Sequence, residues 1–358
     1  MTIIPLDRAR AADGAGGGQP VLEARGLTKH FPVHSQRGAR RAVVHAVEDV
    51  SLALPQAGIT AVVGESGSGK STLARLLARL IKPTAGSVLL DGAAAQGRQR
   101  YARQVQLVLQ DPYSSLNPVH DVRYHLARPL RVHGLASSGS LDAQIAELLG
   151  RVALTPAEVF AAKYPHELSG GQRQRVAIAR ALAVQPRVLL ADESVSMLDV
   201  SIRLGVLNLL ADLREREGLA ILYVTHDIAS ARYLADVITV MYAGQLIESG
   251  PAAQVTDAPA HPYTKLLLSA APDPDRTQTA SLRGRGAPPN LIRPPGGCRF
   301  HPRCPFAMAV CADERPEPTE VAPGQSSACW LHTTSLTAAQ SRPLRPAHGP
   351  QGPGEEKR

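Results

Sequence analysis

The chain has 358 residues, enough for one large or two ordinary domains with a full core. Its composition, 44% hydrophobic and 20% charged, is globular, which excludes a disordered or fibrous class. The net charge of +8 suits an anionic partner, but aromatics make up only 4%, which argues against a base-stacking nucleic-acid surface.

Residues 11–20 (AADGAGGGQP) close a flexible leader expected over 1–20. Met1 to Arg10 lacks the basic-then-apolar layout of a signal peptide, and no apolar run approaches the roughly 18 residues of a membrane span. The chain is therefore expected in the cytoplasm, where cysteines stay reduced unless they bind a metal. A first strand is predicted over 21–27, and the alternation from Val43 to Leu54 predicts a half-exposed strand or hairpin. Short apolar runs follow at 59–63, 86–92 and 105–109. From about 113 to 183 the pattern becomes helical, broken by Pro118, Pro129, Pro156 and Pro165. Strands at 188–191 and 219–225 frame a helix over 201–217, which predicts an α/β core with a largely parallel sheet. A hairpin around Ala243-Gly244 should close that sheet, and beyond Pro251 the texture turns Pro-rich. Residues 335–358 have little to bury and are expected to be disordered.

The most informative stretch is Gly64-Glu65-Ser66-Gly67-Ser68-Gly69-Lys70-Ser71-Thr72, set between an apolar strand and a helix. Strand, glycine-rich loop and helix in this order form a P-loop, whose backbone N–H groups curl around phosphates at the positive end of the helix. Lys70 can reach the β- and γ-phosphates, and the Ser71 hydroxyl can ligate Mg²⁺. A plain glycine turn would not carry Lys-Ser-Thr in this register. The strand Val188 to Ala191 ends in Asp192-Glu193: Asp192 is placed to engage Mg²⁺, and Glu193 to polarise the attacking water. Leu168-Ser169-Gly170-Gly171-Gln172 opens another helix, with Ser169 as N-cap and two glycines exposing N–H groups. One P-loop cannot use both anion sites, so the economical arrangement is a head-to-tail pair that clamps each nucleotide between a P-loop and the partner's serine-glycine helix end.

These residues together resemble the nucleotide-binding subunits of ATP-binding cassette (ABC) transporters, in which LSGGQ is the signature sequence. The resemblance implies further roles. Gln110 fits the Q-loop glutamine, a Mg²⁺ ligand that senses the γ-phosphate. Ser196-Met197-Leu198-Asp199 fits the D-loop at the dimer interface, His226 the switch histidine, and Phe31 the aromatic that stacks on adenine. The stretch Gln110 to Pro118, the run His261-Pro262-Tyr263 and the tract Gly297 to Pro305 are similar to the oligopeptide and dipeptide importer ATPases, over about residues 21–333. Ser194, where proline is usual after the catalytic glutamate, and Met197, where alanine is common, depart from that pattern without removing a phosphate, magnesium or water contact.

Cys298, Cys304, Cys311 and Cys329 are the only cysteines, with five, six and seventeen residues between them. Four thiolates suit a zinc ion or an iron–sulfur cluster. The loose spacing and the Cys304-Pro305 step point to a [4Fe–4S] cluster, as in some relatives of this importer group; zinc and plain thiols are the alternatives. Lying far in sequence from Lys70 and Glu193, the quartet is expected to brace the C-terminal appendage or its contact with the permease, without entering the ATP chemistry.

The expected fold is an α/β ABC-type nucleotide-binding domain over 21–255: a RecA-like core, an antiparallel β flank and a helical insert near 113–183. A small cysteine-containing appendage follows over 256–334. The expected activity is ATP hydrolysis driving oligopeptide or dipeptide uptake. The implied partners are a second ATPase subunit, two separate permease subunits at the cytoplasmic face of the membrane and, indirectly, a solute-binding protein, with no nucleic acid. Nickel or another small solute as cargo is the first rival. A soluble cassette for translation or DNA repair, and a non-hydrolysing regulatory module, are the others. The single cassette, the importer-type appendage and the intact Glu193 and His226 argue against the last two.

Overall fold

The structure is a computed structural model that describes residues 20–33, 42–94, 97–111, 115–136, 140–194, 199–270, 286–333, 336–337 and 339–344. The leader before Pro20, the D-loop residues Ser196, Met197 and Leu198, and the tail from 345 lie outside the described residues.

Strands β3 (Ile59–Val63), β7 (Val188–Asp192) and β8 (Ala220–Thr225) are buried at every position. Continuous apolar runs of this kind suit parallel strands covered on both faces. With β6 (Val105–Val108) and β9 (Val237–Tyr242) they form a parallel block in the order β9-β3-β8-β7-β6. Side chains alternate between two cores, as the strand period requires. Ala61, Val63, Leu189, Ala191, Ile221 and Tyr223 face the helical insert. Val62, Leu190, Leu222 and Val224 face helix Lys70–Leu77 and the second sheet.

That second sheet is antiparallel: β1 (Pro20–Val33) lies between β2 (Ala42–Pro55) and β4 (Ala85–Leu90), with β5 (Ala93–Ala94) at its edge. The stretch from 42 to 55 is a single strand, one of the two options its alternation allows. The insert contains helices Val122–Val132, Leu141–Arg151, Ala157–Ala161 and Gly170–Leu182. Pro129 lies inside the first of these helices instead of ending it, one turn from its C-cap His133. There Leu126 and Leu130 are buried in the core, and their packing holds the helix together across the lost N–H bond.

The expected end of the large sheet is corrected by the structure. The hairpin β9–β10 (Gln245–Pro251) is continued by β12 (Gln325–Ser327) and β11 (Thr319–Ala322), both from the C-terminal segment. Glu248 of β10 is 2% exposed, and its carboxylate accepts from the backbone N–H of Ala260 and His261 and from the side chain of Gln325. A buried charge satisfied by three donors binds the C-terminal segment to the cassette. The segment also runs past 334, the predicted boundary: Ala309 N–H donates to Arg342 and Leu344 N–H to Ala307.

Candidate nucleotide site

The parallel block brings the predicted site together at the carboxyl ends of its strands, where open α/β sheets bind ligands. The P-loop follows β3, Asp192 ends β7 with Glu193 next, Gln110 follows β6 and His226 follows β8.

Two glycines give the P-loop its path. A Cβ on Gly64 would stand 2.1 Å from the Met241 carbonyl oxygen, and one on Gly69, at φ +106°, 2.2 Å from that of Ala46. Only glycine fits either place. Ser66 and Gly67 are exposed at the loop's tip, while Ser68 is buried and Thr72 half-buried on the helix. The Lys70 ammonium is buried and donates to the carbonyls of Gly64 and Glu65 at 2.8 and 2.9 Å. Burial lowers its pKa, offset in part by Glu193, Asp192 and Glu65. A phosphate oxygen would give this desolvated cation a charged partner in place of neutral carbonyls.

The Ser71 hydroxyl donates to Asp192 Oδ1 at 2.9 Å, so the two predicted metal ligands already touch across 121 residues of sequence. Burial raises the Asp192 pKa, the Ser71 bond opposes this, and Glu193 adds to it. A hard divalent cation would relieve that charge, and hydroxyl, carboxylate and amide oxygens are the donors Mg²⁺ takes.

Glu193 lies between two other predicted site residues. Gln110 Nε2 donates to its Oε2 at 2.6 Å, and His226 Nδ1 stands 3.7 Å from its Oε1. Its backbone is at φ +45°, a conformation that non-glycine residues rarely adopt, held by its N–H bond to Val224. The turn presents the carboxylate between the strand ends while keeping it mostly sheltered.

Phe31 lies on β1 opposite Val44, on the hairpin whose Ala46 closes against Gly69, and Lys29 places its ammonium 5.0 Å from the ring centroid. Ser169, Gly170, Gly171 and Gln172 are elsewhere, at the start of helix Gly170–Leu182. Ser169 Oγ accepts from Gln172 N–H, and Gln172 Oε1 from Ser169 N–H. Among the described residues this capping box has no bond to the P-loop of its own chain. Asp199 is the exposed N-cap of helix Val200–Glu217 and makes no side-chain cap.

The structure also shows residues that sequence reasoning missed. Arg303, next to Cys304, makes a bidentate pair with the carboxylate of Glu65 in the P-loop, at 2.8 and 2.9 Å. The Tyr263 hydroxyl accepts from the Glu65 N–H at 2.8 Å. The appendage therefore touches the nucleotide loop directly. The available signal was an arginine beside a cysteine and a tyrosine in a short motif, neither of which names a partner.

The four cysteines surround one small pocket that His261 also lines, and none is in a disulfide. Burial pushes their thiols up, Cys298 to about 12 and Cys304 and Cys329 to about 11. Among the described residues only His30, His45 and Glu48 place three possible ligand atoms within 4.8 Å of one another. There the Arg299 guanidinium already takes Glu48 Oε2 at 3.0 Å, supplying the carboxylate with its counter-charge.

A P-loop on the parallel sheet and a serine-glycine helix end in the helical insert, in one chain, define an ATPase cassette of the ABC class. The ABC transporter family matches residues 47–196, and the oligopeptide/dipeptide transporter C-terminal region matches 247–311. The oligopeptide transport ATP-binding protein AppF of Bacillus subtilis is 40% identical over 330 residues, 89% of this chain and 99% of that one. The di/tripeptide transport ATP-binding protein DppF of Pseudomonas aeruginosa is 44% identical over 306 residues, 84% and 94% of the two chains. Among solved structures, cbiO1 of Clostridium perfringens, part of an ABC transporter complex, has a TM-score of 0.57 at 26% identity, covering 67% of this chain and 91% of that one. A dimeric cassette in a post-hydrolysis state, bound to ADP and Pi, has a TM-score of 0.57 at 30% identity, covering 64% and 98%. The chain belongs to the ATP-binding proteins of ABC transporters, in their oligopeptide/dipeptide branch.

Proposed function

We infer that this chain is the ATP-hydrolysing subunit of an importer for oligopeptides or dipeptides. The observation that carries the chemistry is Glu193, held between Gln110 and His226 beside the Ser71–Asp192 pair. Glu193 takes the proton of the attacking water, Gln110 and His226 orient it against the γ-phosphate, and Lys70 holds the β- and γ-phosphate oxygens. Mg²⁺ bound at Ser71, Asp192 and Gln110 would neutralise charge on the transferred group. Phe31 offers a face for adenine.

The Ser169-Gly170 end, exposed at Ser169 and, among the described residues, with its side chain bonded only within its own capping box, supports a composite site in which it meets the nucleotide of a second ATPase subunit. The dimeric cassette among the structural neighbours supports the same arrangement. No helix among the described residues is long and apolar enough to cross a membrane. Translocation then falls to separate permease subunits, against which this chain docks at the cytoplasmic face, with a solute-binding protein delivering the cargo. The C-terminal match and the peptide names of the relatives favour peptides over nickel. The test is reconstitution with its permease subunits in liposomes. ATP-dependent accumulation of labelled di- and tripeptides is expected; accumulation of a nickel chelate without peptides would overturn the cargo assignment.

A [4Fe–4S] cluster in the cysteine pocket is supported by four thiols that line one pocket with none in a disulfide. Bound there, it would cross-link a segment with few large apolar residues. Anaerobically purified protein should be brown and hold about four irons per chain; colourless protein with one zinc would overturn the cluster.

A further inference from the structure

The pocket that the four cysteines share contains a polar group that the ATP chemistry does not use. His261 is 1% exposed and lines that pocket together with Cys298, Cys304, Cys311 and Cys329. Its backbone N–H is fixed to Glu248 Oε2 at 2.8 Å, and its ring packs against Phe300 with centroids 5.7 Å apart.

The tautomer follows from one contact. The backbone N–H of Tyr263 donates to His261 Nδ1 at 3.0 Å, and a backbone N–H can only donate, so Nδ1 is the acceptor and carries no proton. With Nδ1 unprotonated, the ring's single proton is on Nε2. That Nε2 is buried and has no hydrogen-bond partner among the described residues. Buried N–H groups are rarely left this way. Neighbouring His301, by contrast, has its Nδ1 engaged with the Cys298 carbonyl at 2.9 Å. Aromatic and aliphatic side chains, Pro262, Phe306, Trp330 and Leu331 among them, supply much of the remaining wall and offer no strong acceptor. A group held by the cysteines would supply the missing acceptor.

We propose that His261 is the hydrogen-bond donor of the cysteine pocket, giving its Nε2–H to a sulfur of an anionic iron–sulfur group bound by Cys298, Cys304, Cys311 and Cys329. The proposal rests on the cluster reading above. It assigns His261 a positioning role: a donor to sulfur stabilises the more negative, reduced state of a cluster and raises its potential. It also explains why the ring is anchored at both Nδ1 and the backbone, since a donor that must meet one sulfur cannot be free to rotate. Tyr263, which sets the tautomer through its N–H, uses its hydroxyl to hold Glu65, so one dipeptide step joins the pocket to the nucleotide loop.

The test uses the full chain, purified without oxygen, as wild type, His261→Leu and His261→Gln. Leucine fills the space without a donor, and glutamine returns an N–H near the position of Nε2. With iron content equal to wild type, the midpoint potential of His261→Leu should be more negative, and that of His261→Gln should lie between the two. As a measurement that needs no variant to fold, wild type grown on ¹⁵N-histidine should show a nitrogen coupling to the reduced cluster in pulsed EPR. An iron-loaded wild type without that coupling, or an iron-loaded leucine variant with an unchanged potential, overturns the proposal and leaves the cluster standing. Wild-type protein that holds zinc, or no metal, overturns both.

Discussion

Arg303 and Glu65 form a two-point ion pair, Nη1 to Oε2 at 2.8 Å and Nη2 to Oε1 at 2.9 Å, that ties the cysteine-bearing segment to the second residue of the P-loop. Both side chains are sheltered, at 10% and 27% exposure, and the guanidinium also reaches the Tyr242 hydroxyl at 3.3 Å. The ion pair raises the Arg303 pKa further, against a smaller opposing effect of burial, so the arginine is charged at every accessible pH. Glu65 is thus held by its carboxylate from Arg303 and by its N–H from Tyr263, while its carbonyl accepts from Lys70.

Removing that grip should affect stability and nucleotide binding together. In Arg303→Met the partly buried Glu65 carboxylate loses its counter-charge, at a cost of about 1.5–3 kcal/mol for hydrogen bonds to a charged group. Thermal denaturation should show a lower midpoint than wild type. ATP affinity by calorimetry should weaken several-fold, because the carbonyl of Glu65 also positions Lys70. Unchanged affinity alongside a lowered midpoint would confine the pair to a structural role.

Glu193→Gln should retain ATP binding and stop turnover. Amide for carboxylate keeps the shape and the Gln110 contact but removes the base, a loss of about 10²–10⁴-fold in rate. Lys70→Ala should instead weaken binding, since it removes the charged phosphate contact. Steady-state hydrolysis and nucleotide binding measured on both variants separate the roles, and wild-type turnover in Glu193→Gln would remove Glu193 as the base.

Most of the nucleotide site was legible in the sequence, because each of its parts is a local pattern with a physical reason. Gly64 and Gly69 stand where carbonyl oxygens leave no room for a Cβ, and Asp192 ends a strand buried at every position. The Arg303–Glu65 pair was not legible, since its partners are 238 residues apart and only the packed sheet brings them together. Strands β11 and β12 were hidden for a related reason. They are short, with no apolar alternation, and are stabilised by pairing, β12 with β10 and β11 with β12. Pro129 misled because tertiary packing overrides a local breaker.

The composite site gives a complementation test for a chain that pairs with itself. Ser169→Arg should spoil the site that this helix end completes, and Lys70→Ala the site that the P-loop supplies. In a mixed dimer one composite site carries both defects and the other carries neither. Nucleotide binding should return at one site per mixed dimer, measured by equilibrium titration. No recovery in a dimer shown to be mixed would exclude a shared site.

A pH-dependent prediction comes from Glu48 on β2. Burial raises its pKa, but hydrogen bonds from His45 and His30 and the contact with Arg299 outweigh this and hold the carboxyl below its ordinary value of 4.5. The distances are 2.9, 3.2 and 3.0 Å, and Arg299 also donates to the Ala243 carbonyl beside the P-loop strand ends. A carboxylate with a depressed folded-state pKa contributes stability that is fully present above its unfolded value. That stability disappears as pH falls through the folded value. Wild type should therefore be more stable than Glu48→Gln at neutral pH, with the difference closing below about pH 4.5 as the carboxyl gains its proton. Denaturation midpoints of both proteins across pH 7 to 3.5 test this. A difference that stays constant to the acid end would mean that Glu48 acts through shape or neutral hydrogen bonding, and not through its charge.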